Sequence, residues 1–214
     1  MPLKKGLLVV LSGPAGSGKS TIAERLVEMR PNTRRAVTAT TRSPRDGEVD
    51  GRDYHFLSAE EFRRRIDNEE FLEYTTFNGR CYGTPRRELE ENLARGGVVL
   101  LVIEVDGAES VKFFFPDAIF VFIVPPTPEI LRERLVGRGT ESEADVERRL
   151  AIARNEMQRV GEYDFLVVNA DPHMATLDLA AVIRTVARSR ITGDEVARWN
   201  AGYYADWRTR AAEE

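Results

Sequence analysis

The stretch Leu7–Thr21, LLVVLSGPAGSGKST, constrains this chain more than any other. An apolar run, Leu7 to Leu11, stops at Ser12 and gives way to Gly13-Pro14-Ala15-Gly16-Ser17-Gly18-Lys19-Ser20, which satisfies G-x-x-x-x-G-K-[ST]. Strand, glycine-rich loop and helix follow in the order that a polyphosphate cradle requires. The glycines let consecutive N–H groups point inward, and the helix N-terminus beyond them adds partial positive charge. Lys19 can reach β- and γ-phosphates as a mobile point charge, while the Ser20 hydroxyl is placed to ligate a Mg²⁺ bridging the same oxygens. A plain Gly/Ser turn between strand and helix is the alternative, and it does not explain the spacing.

The 214 residues suit one α/β domain with a proper core. No apolar segment is long enough to span a bilayer. The N-terminus MPLKKGLLVV resembles a short signal peptide, but its apolar run leads straight into the phosphate loop, so a cytoplasmic location with no membrane partner is expected. A lone cysteine, Cys81, forbids an internal disulfide, and with only His55 and His173 beside it a structural zinc site is not expected. The net charge of −4 gives no footprint for nucleic acid, so phosphate binding has to come from local arginine clusters.

Beyond the loop, Ile22, Ala23, Leu26 and Val27 predict a helix closed by Pro31, and Ala36–Thr41 a short β run. Arg42 and Arg45 flank Pro44, and Tyr54 follows. These residues alone fit a phosphate-monoester site and a solvated charged loop equally well. Glu60–Asp67 reads as a helix with Ser58 and Glu61 as a capping box, and Pro85–Arg95 as another closed by Gly96-Gly97. Val98–Ile103 and Ile119–Val124 are continuous apolar runs, the mark of parallel strands buried on both faces, and the end of the first should lie beside the phosphate loop. After a helix over Pro128–Val136, the glycine-flanked Arg138, with Arg134 and Arg149, reads as a mobile arginine set able to close over a transferring phosphate. Phe165–Val168 predicts a last core strand, and Leu177, Ala180, Ala181 and Ile183 a final helix. Val196, Trp199, Tyr203 and Trp207 share one helical stripe in an added C-terminal element.

The segment TTRSPRDGEVDGRDYHF, a short helix after GPAGSGKST, resembles the acceptor-binding region of guanylate kinases, which pass a phosphoryl group from ATP to GMP. The similarity continues through Phe71–Tyr74, Asn78–Thr84, Arg134–Thr140 with Arg149, and Tyr163–Asn169, and covers about Leu7 to Arg190. It implies an α/β fold, the phosphate-loop NTPase-type three-layer parallel sheet of nucleoside monophosphate kinases, with a small mixed β/α GMP-binding subdomain and a helical lid. The implied organisation is one domain over 1–214: core 1–33, 96–137 and 150–190, GMP-binding subdomain 34–95, lid 138–149, and helical extension 191–214.

The resemblance also implies site residues. ATP falls to Gly13, Pro14, Ala15, Gly16, Ser17, Gly18, Lys19, Ser20 and Thr21, with Arg134, Arg138 and Asn169 beside them, and Mg²⁺ to Ser20. The guanine contacts match Thr38, Glu73, Thr84 and Glu104; the acceptor-phosphate contacts match Arg42, Arg45, Tyr54 and Tyr82, completed by Arg138 and Arg149. Catalysis would rest on Lys19, Arg42, Arg138 and Arg149. GMP or dGMP and ATP are the implied small-molecule partners of a monomer or homodimer. The chemistry is coherent: guanine offers donors at N1 and N2 and an acceptor at O6, which a carboxylate and a hydroxyl match, whereas adenine N1 would repel that carboxylate.

One strand end departs from the family pattern [DE]-I-D-x-Q-G. Here Val102-Ile103-Glu104-Val105-Asp106-Gly107 keeps the second acid as Glu104, loses the first at Val102, and carries Asp106 for the usual glutamine. Asp106 is the candidate to compensate. Two other readings of the chain remain: a guanylate-kinase-like protein-binding module, which the intact Lys19 and arginines disfavour, and a kinase of the same fold acting on another phosphorylated acceptor, which Glu73 with Thr84 disfavours.

Overall fold

A computed structural model describes residues 6–77, 79–137 and 143–189. Five strands, β1 (Leu7–Ser12), β2 (Thr33–Arg35), β7 (Val98–Val102), β8 (Ile119–Val124) and β9 (Phe165–Val168), form a sheet in the order β2-β7-β1-β8-β9 with every pairing parallel. All positions of β1, β7 and β8 are buried, as their unbroken apolar runs require in a sheet covered on both sides. Leu8 and Val10 of β1, Val99 and Leu101 of β7 and Phe120 of β8 form one core cluster with α3 (Arg86–Ala94) and α4 (Val105–Phe114). The alternation of side chains turns Val9, Leu11 and Leu100 to the opposite face. There α1 (Lys19–Met29), which contacts β2 and β7, buries Ile22, Ala23 and Leu26 completely. Ile22 and Leu26 each contribute roughly 1.5–3 kcal/mol by leaving water.

The second sheet is mixed, β4-β3-β6-β5, built from β3 (Thr38–Thr40), β4 (Tyr54–Phe56), β5 (Phe71–Phe77) and β6 (Arg80–Pro85). Its own small core gathers Ala39, Phe71 and Phe62 of α2 (Ala59–Asp67), with the last two rings stacked 4.5 Å apart. The β5–β6 register shifts by one residue between Phe71 and Glu73, and such a bulge re-aims side chains. Phe71, Leu72 and Glu73 are consequently all buried, where simple alternation would expose one of them.

Three differences from the expected elements have identifiable causes. The Ala36–Thr41 run is not one strand: the Ala36 N–H still bonds Leu100 O at 2.8 Å beside the large sheet, and the chain then crosses to pair Thr38 with Tyr54 in the small one. β9 is an edge strand with a single neighbour, β8, and only Val167 of its four residues is buried. Ser58 does cap α2 by accepting from Glu61 N–H at 3.0 Å. The Glu61 carboxylate, however, turns to Arg64 (2.7 and 2.8 Å) and Arg65 (2.8 Å), whose hydrogen bonds hold its pKa at about 2.

The remaining helices are α5 (Pro128–Val136), α6 (Glu143–Met157) and α7 (Pro172–Ser189). Residues up to Leu179 form one compact unit, which contains both sheets; those from Ala180 form a second, of which the end of α7 is described. Arg138, Gly139 and Thr140 of the expected lid, and the 191–214 extension, lie outside the described residues.

Candidate active site

β1 ends at Ser12, whose hydroxyl donates to Ile103 O at 3.0 Å, and the glycine-rich loop follows at the carboxyl edge of the sheet. Gly18 holds φ +93 as the N-cap of α1, a conformation that side chains disfavour. A Cβ there would also stand 2.2 Å from Asn169 Nδ2. That amide donates to Ser17 O at 2.7 Å, so Asn169, just past β9, braces the loop from below. Arg134 of α5 in turn donates to Asn169 O at 2.9 Å. Arg134 and Asn169, two of the three residues assigned by resemblance to the donor side beside the loop, thus hold each other and the loop backbone.

Lys19 is only 8% exposed. Its ammonium donates to Gly13 O at 2.5 Å and Pro14 O at 3.2 Å and stands 3.7 Å from Glu104 Oε2. The lysine is folded back on its own loop, ready to exchange those carbonyls for phosphate oxygens.

A cleft of about 150 Å³ opens in front of it. Ala15, Gly16, Gly18, Lys19, Ser20 and Thr21 of the loop and α1 line it together with Thr38, Arg42, Arg45, Tyr54, Glu73, Tyr82, Glu104 and Arg149. Residues dispersed from Ala15 to Arg149 therefore meet in one place. Thr84 adjoins the cleft through Glu73. Gly13, Pro14 and Ser17 shape the loop without lining the cleft, and Arg138 lies outside the described residues.

Arg42 is aimed by its neighbours, among them Ser43 O, to which it donates at 2.9 Å. Glu48 takes a bidentate pair from it (2.6 and 2.5 Å) and also accepts from Arg45 N–H at 2.7 Å, while the guanidinium lies over the Tyr54 ring (4.9 Å) and the Phe56 ring (5.5 Å). The Arg42 hydrogen bond holds the Glu48 carboxyl below the usual range. Burial raises the Tyr82 hydroxyl, keeping it a neutral donor.

Glu73 is buried at 6% exposure, opposite Thr84 across the bulge, and accepts a short hydrogen bond from the Thr84 hydroxyl. Burial pushes its pKa up to about 7 against the pull of the Thr84 hydrogen bonds, and Glu104 adds to the rise. α4 makes room for it: a Cβ on Gly107 would lie 2.5 Å from Glu73 Oε2. Asp106 does not compensate for the acid missing at Val102. Its side chain is 76% exposed, bonds Arg159 at 3.2 Å and does not line the cleft, because the first turn of α4 points it outward.

Reading the residues had not assigned Glu48, Gly107, Thr75, Phe77 or Ile103, although the last three line the cleft. The available signal for Glu48 was an acid three residues past Arg45 and six past Arg42 in the same turn-rich loop. A glycine in a first helical turn was the signal for Gly107.

A phosphate loop at the end of the central parallel strand, facing an arginine–tyrosine cluster and a buried acid across one cleft, defines a phosphate-loop kinase of small phosphorylated molecules. The guanylate kinase model matches residues 5–186, and the chain belongs to that family. A guanylate kinase of a Synechocystis strain is 49% identical over 179 residues, covering 84% of this chain and 94% of the relative. One from Clostridioides difficile is 43% identical over 183 residues, covering 86% and 89%. The crystal structure of guanylate kinase from Anaplasma phagocytophilum superimposes with a TM-score of 0.72 at 34% identity, covering 86% of this chain and 88% of that one. Among the described residues no helix is long and apolar enough to cross a membrane.

Proposed function

We propose that the protein transfers the γ-phosphoryl group of ATP to GMP, giving ADP and GDP, with the donor in the phosphate loop and the acceptor against the four-stranded sheet. The observation that carries this reading is a buried, glycine-accommodated Glu73 in the same cleft as Lys19 and Arg42. In this reading Glu73 accepts from guanine N1 and N2, the Thr84 and Thr38 hydroxyls serve O6 and the ring edge, and Glu104 lies close by. Arg42, Arg45, Tyr54 and Tyr82 take the acceptor phosphate. That phosphate is largely a dianion at neutral pH, so no general base is required. Lys19 leaves Gly13 O and Pro14 O for the β- and γ-phosphates, and Arg149, joined by Arg134 and Arg138, spreads positive charge over the transferring oxygens. Residues 34–95 act as the acceptor subdomain, 138–149 as the lid, and the rest of 1–190 as the core.

Ser20 fits Mg²⁺: its hydroxyl is a hard oxygen donor lining the cleft beside Lys19, and Mg²⁺ prefers one or two protein oxygens with phosphates and water. Among the described residues no three His, Cys, Asp or Glu side chains are grouped to hold a metal; nucleotide phosphates and water would complete the ligand set. When bound, the ion neutralises charge on the β- and γ-oxygens. The protein would act in the cytoplasm, as a monomer or homodimer, on GMP or dGMP.

Phosphorus NMR of protein with Mg²⁺, ATP and GMP tests the reaction itself. Matched appearance of ADP and GDP resonances is expected, and release of inorganic phosphate without GDP would contradict it. A second test addresses the guanine pocket. Ala is ordinarily the better helix former, but at Gly107 its Cβ would displace the Glu73 carboxylate, which can move because it is the far end of a side chain. Gly107→Ala should keep the melting temperature within about 4 °C while raising KM for GMP about tenfold, the effect of some 1.4 kcal/mol of misplacement. Unchanged KM would remove the pocket from this place.

A further inference from the structure

Arg35 closes β2, the edge strand of the large sheet, and the reading above gives it no part. Its neighbour Arg34 has a structural duty: the guanidinium donates to Asn92 O and Gly96 O, both at 2.8 Å, and ties β2 to the end of α3. Alternation along the strand sends Arg35 to the other face, the one that α1 covers. There it pairs with Glu24 of α1 at 3.4 Å, a long contact to an exposed carboxylate that water leaves weak. The Arg35 side chain itself is only 12% exposed, and its Nε is sealed from solvent without a hydrogen-bond partner. Burying so thinly paired a cation is costly, and a long side chain at a sheet edge can otherwise carry its charge into water.

What the buried guanidinium meets is Tyr54. Arg35 Cζ stands 5.5 Å from the centroid of that ring and Arg42 Cζ 4.9 Å from it, so one aromatic ring faces two cations. Tyr54 has little else to fix it. β4 is a three-residue strand at the edge of the small sheet, half-buried throughout, and the buried cluster of Ala39, Phe62 and Phe71 includes none of its residues. The Phe56 and Tyr82 rings lie 5.8 and 6.4 Å away at steep angles. The two arginines also come from different places. Arg42 follows β3 of the small sheet, whereas Arg35 is in register with Leu100 of β7 in the large one. Between Arg35 and Thr38, which pairs with Tyr54, the chain crosses from one sheet to the other. Arg35 therefore meets the ring from the core side of that crossing.

We propose that Arg35 is a positioning residue for the acceptor: from the large sheet it fixes the Tyr54 ring and so holds the Tyr54 hydroxyl where the acceptor phosphate is received. The proposal rests on the ATP-to-GMP reading given above. Arg35 does not line the cleft, so it acts through Tyr54 and not on the phosphate itself.

The test is a cycle of steady-state kinetics on wild type, Arg35→Met, Tyr54→Phe and the double variant Arg35→Met/Tyr54→Phe. Methionine keeps an apolar stem in the buried space and removes the cation, while phenylalanine keeps the ring and removes the hydroxyl. Arg35→Met should raise KM for GMP about five- to thirtyfold, the range of a desolvated cation–π contact, with KM for ATP within about twofold and kcat within about threefold. Tyr54→Phe should raise KM for GMP at least as much. On top of Tyr54→Phe the Arg35 change should add less than about twofold, because the hydroxyl it places is gone. Melting temperatures certify that each variant is folded, and Arg35→Gln, equally uncharged, takes the place of Arg35→Met if that protein does not fold. The proposal is overturned if the folded, uncharged variant keeps the wild-type KM for GMP, if KM for ATP rises in step with it, or if Tyr54→Phe leaves KM for GMP unchanged. It is also overturned if the two losses multiply, since Arg35 would then act by its charge alone. A wild type that makes no GDP would instead overturn the underlying reaction, so the two failures are distinguishable.

Discussion

Replacing Lys19 with methionine should reduce ADP and GDP formation by about 10²–10³-fold, the usual loss when one preorganised charge aimed at the transition state is removed. Methionine preserves the length and apolar stem of a side chain that is 8% exposed, so the core around Ile22 and Leu26 is unaffected. What disappears is the ammonium that now bonds Gly13 O at 2.5 Å and Pro14 O at 3.2 Å. Each is a bond from a charged group, contributing about 1.5–3 kcal/mol, and removing the buried ammonium with them offsets part of the loss, so the melting temperature should fall by no more than about 20 °C. Circular dichroism melts and a coupled ADP-release assay on one preparation check both statements. A folded Lys19→Met protein with wild-type turnover would remove the lysine from the chemistry.

The second large effect is expected at Glu73. Glu73→Gln presents an amide to guanine where a carboxylate stood, setting donors against the N1 and N2 donors. A hydrogen bond to a charged group contributes about 1.5–3 kcal/mol, so KM for GMP should rise by about 10–100-fold, with KM for ATP within a factor of about two. Equal effects on both nucleotides would place Glu73 outside the guanine pocket. The pH dependence has a definite sign. Burial holds Glu73 at about 7, above its ordinary 4.5, and guanine requires the ionised form. In wild type, kcat/KM for GMP should therefore climb between about pH 6 and 8 beyond the change seen in Glu73→Gln, which retains the titrations of the GMP phosphate and of Glu156, whose carboxyl burial also pushes up to about 7. The same shift acts on stability in the opposite direction. A group whose folded pKa is raised stabilises the fold at low pH, and its contribution is lost as pH rises through about 7, so the nucleotide-free protein should be weakened over pH 5 to 7 by this group.

How far these residues could be read from the chain depends on whether their partners are local. The run Leu7–Leu11 followed by Gly13–Ser20 specifies strand, loop and helix within fifteen residues, and the structure matches it there. The runs Val98–Val102 and Ile119–Val124 are equally explicit, because a strand buried on both faces admits no polar residue. β9 is less explicit: Phe165, Leu166 and Val168 read as core, yet the strand has a neighbour on one side only, and sheet order is not a local property. The same limit applies to the cleft. Arginines near Pro44 announce themselves, but the partner that Asp106 meets outside the cleft, Arg159, is fifty-three positions away. Glu73 owes its burial to a one-residue bulge and to a glycine on α4, and neither is visible in the Phe71–Tyr74 segment.

The most direct measurement is the ratio of kcat/KM for GMP to that for AMP, taken with saturating Mg²⁺ and ATP. A pocket whose buried carboxylate must meet N–H donors should reject adenine, whose N1 is an acceptor, by about 10⁴-fold or more. A ratio of that size is the expected result. Comparable values for the two nucleotides would contradict the account.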